Sequence, residues 1–183
     1  HSYSSAASDV YKRQVLFKDH SNTIWLGSDS GLFSYDPDLG SIIGYPLEIG
    51  MINSIANGQK NEIWVGSTDG LVRVINGPNG DYKLYRKSNS KSSIVSNYIK
   101  DLAWDQSRNM LWIATDNGIS RYIPSEDKFF NIQTTPYADS IVENDISELM
   151  VATRSGRLWY TTATEPGINC LSVDFSSESN SPP

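Results

Sequence analysis

The chain is short of the side chains on which most catalytic and metal chemistry depends. Among 183 residues there is one cysteine, Cys170, so no internal disulfide can form. The two histidines, His1 and His20, cannot build a histidine metal centre, and nothing else in the sequence asks for a metal or cofactor. The apolar neighbours of Cys170 assign it to a small buried hydrophobe rather than a reactive thiol. No apolar run reaches the roughly 18 residues of a membrane-spanning helix, so the chain is not expected to be membrane-embedded. Positive charge is scarce as well: 15 Lys and Arg against 21 Asp and Glu give a net charge of −6. That balance argues against nucleic acid, whose phosphates need clustered Lys and Arg, and against a strongly anionic polysaccharide. No charged-then-apolar leader opens the sequence, so any secretory signal is expected to lie upstream or never to have existed.

What is present is a repeat. Leu111-Trp112-Ile113-Ala114-Thr115 runs through Asp116-Asn117-Gly118 into Ile119-Ser120-Arg121-Tyr122, the pattern of a β-hairpin with a tight turn. The same phrase occurs at Ile24–Tyr35 and Ile63–Val74, and more loosely around Leu158–Thr162 with a delayed glycine, Gly167. Trp25, Trp64, Trp112 and Trp159 are therefore 39, 48 and 47 residues apart. That period is that of a four-stranded propeller blade, a unit that buries its apolar faces only by stacking on copies of itself. The fold expected is all-β: propeller blades of four antiparallel strands, about 3.75 of them, forming an open, incomplete propeller.

An apolar pair precedes the Trp in three copies, Ile52/Ile55, Ile99/Leu102 and Ile146/Leu149. Ahead of Trp25, Leu16 fills the second place but Arg13 falls in the first. Residues 1–14 are therefore expected to be a foreign or disordered leader, with the partial propeller spanning 15–175. Blades are expected at about 15–48, 51–86, 98–133 and 145–174, the last without its outer strand. Residues 176–183 carry no apolar side chain and are expected to be disordered.

The repeat residues have mechanical reasons. Gly27, Gly66 and Ala114 keep the sheet surface low so that the next blade can approach, while the Trp side chains supply apolar area to that junction. Gly31, Gly70 and Gly118 stand where the turn needs a positive φ. Asp29, Asp69 and Asp116 are expected to accept local backbone N–H bonds in those turns. An arc of this kind should expose Leu16 and Trp25 at one end and the face of the fourth blade at the other. It is then expected to associate through those faces, a homodimer included.

The phrases Ser96-Asn97-Tyr98-Ile99-Lys100-Asp101-Leu102-Ala103-Trp104-Asp105 and Leu111–Tyr122 resemble the two-component-regulator propeller repeat. The resemblance covers Val15 to about Asp174, strongest in the second and third units and weakest at Trp159-Tyr160-Thr161-Thr162. It implies a stretch of the periplasmic sensor region of a Bacteroidetes hybrid histidine kinase, many of which sense oligosaccharides. It also implies further propeller blades, a membrane helix and a kinase domain elsewhere in the full-length protein.

If strands run up and down, the Trp-hairpin turns and the outer-to-inner connections share one face. That face collects Asp69, Asp116, Asn117, Asn97 and Asn144, with Tyr98 near the mouth of the central channel. Amides beside an aromatic ring suit an oligosaccharide ligand, although Asn97 and Asn144 also read as loop-shaping residues and Tyr98 as a packing one. Three classes stay open: a non-catalytic sensor, a protein-interaction scaffold and a propeller lyase. A lyase would want a His or paired acids on the loop face. His20 belongs to a turn on the opposite face, and Glu143 and Asp145, which flank Asn144, show no basic partner in the sequence. No catalytic residue is assigned.

Overall fold

The computed structural model describes residues 14–77, 80–134, 140–152, 155, 157–164 and 166–172. Residues 1–13 of the expected leader (1–14) and the whole expected tail, 176–183, lie outside them, and Gln14 is exposed. Among the described residues fifteen strands form four antiparallel sheets, each in sequence order. The first holds β1 (Val15–Lys18), β2 (Ile24–Ser28), β3 (Gly31–Asp36) and β4 (Ser41–Tyr45). The second holds β5 (Ile52–Asn57), β6 (Glu62–Ser67), β7 (Gly70–Ile75) and β8 (Tyr82–Tyr85). The third holds β9 (Ile99–Asp105), β10 (Met110–Thr115), β11 (Gly118–Ile123) and β12 (Lys128–Ile132). The fourth holds β13 (Ile146–Ala152), β14 (Arg157–Thr162) and β15 (Asn169–Ser172). The first strands of successive sheets pack on one another and lie nearest the axis. This is an open arc of propeller blades.

Three apolar cores fill the three junctions between blades. In each, a Trp of one blade faces the blade that follows. Trp25 meets Ile52 and Ile55, Trp64 meets Leu102, Leu111 and Tyr122, and Trp112 meets Ile146 and Leu158. Trp25 and Trp64 are fully buried and Trp112 nearly so. A buried Trp removes about 150–250 Å² from water, worth about 4–6 kcal/mol at 25 cal/mol per Å². An exposed ion pair such as Lys83–Asp127 contributes about 1 kcal/mol or less. Apolar contact therefore sets the stacking.

Two residues beyond each Trp, on the same side of the strand, the side chain is missing or minimal. A Cβ on Gly27 would stand 2.5 Å from Cγ2 of Ile52, and one on Gly66 would stand 2.5 Å from Cγ2 of Ile99. Ala114, buried in the same core as Ile146, holds that place in the third blade. The turns follow the same economy: Gly31, Gly70 and Gly118 have φ of 116°, 128° and 120°, a region closed to other L-residues without strain.

Two expectations fail at the ends of the arc. Leu16 is 70% exposed as anticipated, but Trp25 is wholly buried, because the Trp face looks forward to the next blade rather than back. The exposed Trp face is that of the last blade, where Trp159 shares an apolar hollow with Met150 and Ile168. Cys170 is exposed, not buried. It sits on β15, pairing with Trp159 at the end of the arc, where no described element covers it.

Gly66→Val should lower stability by about 1–3 kcal/mol in chemical denaturation, because the added methyls have no room against Ile99. Met150→Glu with Ile168→Glu should reduce self-association in sedimentation while leaving the unfolding midpoint nearly unchanged.

Candidate functional site

The inner strands carry the feature that shapes the channel mouth. Each of β5, β9 and β13 contains a β-bulge near its start: pairing with the Trp strand skips one residue between Ile52 and Ser54, between Ile99 and Asp101, and between Ile146 and Glu148. The skipped residues are Asn53, Lys100 and Ser147. A bulge leaves its extra residue out of the ladder and re-aims its side chain. Here all three line one cavity of about 430 Å³, together with Tyr98 and Glu148.

Neighbouring polar groups fix this row in place. Asn53 Nδ2 donates to the Ile99 carbonyl at 2.7 Å, joining the second and third blades. Asp101 joins three blades at once: Ser54 Oγ donates to its Oδ1 at 2.8 Å, and the Leu149 backbone N–H donates to its Oδ2 at 2.9 Å. Lys100 Nζ donates to Asp145 Oδ1 across the next junction. Asp145 thus has the basic partner that its sequence neighbourhood did not reveal. The cation arrives from the preceding blade, 45 residues away.

The expected site residues fall into two loop clusters and one cavity residue. Only Tyr98, 39% exposed, lines the mouth. Asn97 is half-buried; its backbone carbonyl accepts from Gly70 N at 2.8 Å and its Oδ1 from Lys87 N at 2.6 Å. Asn144 repeats the arrangement one blade on, its carbonyl accepting from Gly118 N at 2.6 Å and its Oδ1 from Thr134 N at 2.8 Å. These asparagines lock each outer-to-inner connection onto the Trp-hairpin turn of the blade before it. Asp69 meets Asn97 through Gly70 and is ion-paired with Arg86 at 2.8 Å. Asn117 gives its carbonyl to Gln133 Nε2 at 2.9 Å, and Asp116 is exposed beside it.

In each of the first three blades the hydroxyl that ends the Trp strand accepts a backbone N–H of its hairpin turn, and in the first Asp29 Oδ1 also accepts from Ser30 Oγ at 3.0 Å. Asp69 N and Asn117 N donate to Ser67 Oγ and Thr115 Oγ1, as Ser30 N does to Ser28 Oγ. The hydroxyls of Ser67 and Thr115 also donate to the carbonyls of Gly70 and Gly118. The hydroxyl at the end of the Trp strand stands one residue before the acid in the first and third blades and two before it in the second, and in the second and third it reaches both partners.

Asn53, Lys100, Ser147 and Glu148 were not among the sequence candidates. Asn53, Lys100 and Ser147 recur every 47 residues, each directly after the first apolar residue of an inner strand, and that position was the available signal.

Fold and site together define a segment of β-propeller. No protein-family model and no curated protein matches the chain. Solved structures do. An extracellular domain assigned to a hybrid two-component system of B. thetaiotaomicron superimposes with a TM-score of 0.64 at 21% identity over 90% of this chain. A second such domain from the same organism gives 0.54 at 19% over 86%. The chain spans 21% and 28% of their respective lengths. A catalytically inactive virginiamycin B lyase from Staphylococcus aureus gives 0.54 at 17% identity, over 86% of this chain and 54% of the enzyme. The shared property is the propeller, which hosts both sensors and enzymes.

Asp101→Ala should cost about 2 kcal/mol, since it removes two charge-assisted bonds at once. Hydrogen exchange at Leu149 and Leu102 should quicken, while exchange in β2 and β3 should hardly change.

Proposed function

We propose that the chain is part of a ligand-sensing, non-catalytic propeller region of a hybrid two-component sensor, and that it responds to a glycan at the channel mouth. The observation that carries this reading is the convergence of Tyr98 with the bulge row Asn53, Lys100 and Ser147 on one cavity of about 430 Å³. An aromatic ring gives a sugar its flat apolar partner, and amide, ammonium and hydroxyl groups meet its hydroxyls. A non-catalytic role fits the mouth because Lys100 and Asp145 are engaged with each other across two blades. A periplasmic location fits the extracellular domains to which the chain is similar. In this reading further blades, the membrane helix and the kinase belong to a longer protein. Signalling would come from movement of whole propellers, because blades locked by Asp101 and their Trp cores offer no internal hinge.

A second reading has its own observation. The hollow of the last blade, with Met150 62% and Ile168 73% exposed beside Trp159, is an apolar surface of the kind that other proteins cover. It favours an interaction role for that end, through another blade or a second copy of the chain.

The test is a panel of neutral oligosaccharides in calorimetry and thermal-shift measurements. At least one should bind, and Tyr98→Ala should weaken it about tenfold, or 1.4 kcal/mol, with the unfolding midpoint of the free protein unchanged. Binding that is indifferent to Tyr98→Ala, or no binding across the panel at millimolar concentration, overturns the glycan reading of the mouth.

A further inference from the structure

The face opposite the channel mouth holds a cavity that the sensing role described above does not use. It measures about 450 Å³, within the roughly 300–1,000 Å³ range of small-molecule sites. It is assembled from the inner-to-Trp turns of the first three blades. We propose that this cavity is a second binding site, for a saccharide bearing a single carboxylate.

The lining states the chemistry. Trp104, half-buried at the end of β9, packs on the core between the second and third blades and supplies the aromatic platform. Gln59, Gln106 and Asn109 bring amides from two blades, and Gln59 Nε2 donates to Asn109 Oδ1 at 3.1 Å, which sets that pair in advance. Lys60 and His20 are the titratable residues of the described lining, which contains no Asp or Glu. In a chain of net charge −6, this cavity is walled by amides, a lysine and a histidine, with the nearby Asp19 carboxylate turned onto Trp25 and its own turn. Asp105, next to Gln106 in sequence, is almost wholly buried and is held by Arg108 at 2.9 Å and by Ser107. A polyanion would still be repelled by the chain as a whole; one carboxylate per ligand would not.

Turn geometry explains part of the lining and leaves the rest. Asn22, Asn61 and Asn109 all adopt positive φ, 71°, 63° and 54°, at the same place in three turns, so asparagine is accounted for there by the backbone. Trp104, Gln59, Lys60 and Gln106 have no such account.

An unusual buried donor lies behind the wall. In the first blade Asp19 Oδ2 accepts the indole N–H of Trp25 at 2.8 Å, while Oδ1 caps Ser21 N and Thr23 N. The equivalent of Asp19 in the second blade is Gly58: the backbone bond Asp19 N to Thr23 O recurs as Gly58 N to Glu62 O. With the carboxylate gone, Trp64 Nε1 is fully buried and has no hydrogen-bond partner among the described residues. It lies 2.8 Å from where a Cβ of Gly58 would stand, directly behind a residue that lines the cavity. The first blade, with Asp19 in place, has no such unpaired donor.

The test uses the whole chain and disaccharides that contain one uronic acid, glucuronate or galacturonate, joined to a neutral sugar. Their controls carry –CH2OH in place of the carboxylate. At least one acidic disaccharide should bind at least tenfold tighter than its neutral control. Lys60→Ala and Gln106→Ala, both at exposed positions, should each weaken it severalfold, and Trp104→Ala about tenfold or more. Tyr98→Ala should leave this binding unchanged, so the two faces fail independently. The proposal is overturned if neither acidic disaccharide binds, if the neutral controls bind as tightly, or if Lys60→Ala and Gln106→Ala have no effect. Since the two exposed variants do not touch a core, a folding defect in Trp104→Ala does not shelter it.

Discussion

The whole arc depends on one close approach: the first apolar residue of an inner strand set against a residue with no side chain, or only a methyl, two positions past the Trp of the preceding blade. Ile52 on Gly27 and Ile99 on Gly66 leave no room for a methyl group. That distance lets each Trp be sealed by its neighbour, brings inner strands within hydrogen-bonding reach, and allows Asp101 to hold Ser54 and Leu149 together. The polar bonds between blades come after the packing. They would have no geometry to lock if the sheets stood even slightly further apart.

Much of this was legible in the sequence, because short-range demands leave short-range signatures. A Trp followed two residues later by Gly, then a turn glycine, marks a low strand surface and a positive φ whatever else the chain does. The direction in which each Trp points was not legible. Periodicity says that Trp25 alternates with Leu26, yet it does not say which neighbouring sheet lies on which side. The placement of Trp25 at an exposed end and of Cys170 in a core were errors of that kind.

The channel mouth was legible only through Tyr98. The bulges that bring Asn53, Lys100 and Ser147 forward are a property of pairing between strands, and a single strand read alone gives strict alternation. Lys100 and Asp145 are likewise 45 positions apart and meet only because two blades stack. The asparagines were legible as recurring residues, Asn97 and Asn144. The structure shows their side-chain carbonyls engaged in holding connections. Repetition in a sequence reports what every unit needs, and what every unit needs is architecture. The residues that distinguish a site are the ones that vary at a repeated position, as Asp19 and Gly58 do.

The forward orientation of the Trp faces carries a consequence for how such a chain is made. A blade emerging from the ribosome leaves its own Trp uncovered until the following blade has been synthesised, and it covers the Trp of the blade before it at once. Completion therefore passes along the chain in the direction of translation, each unit finishing its predecessor. At any instant the repeat Trp of the most recent blade is the one whose junction face is open to a chaperone or to a wrong partner.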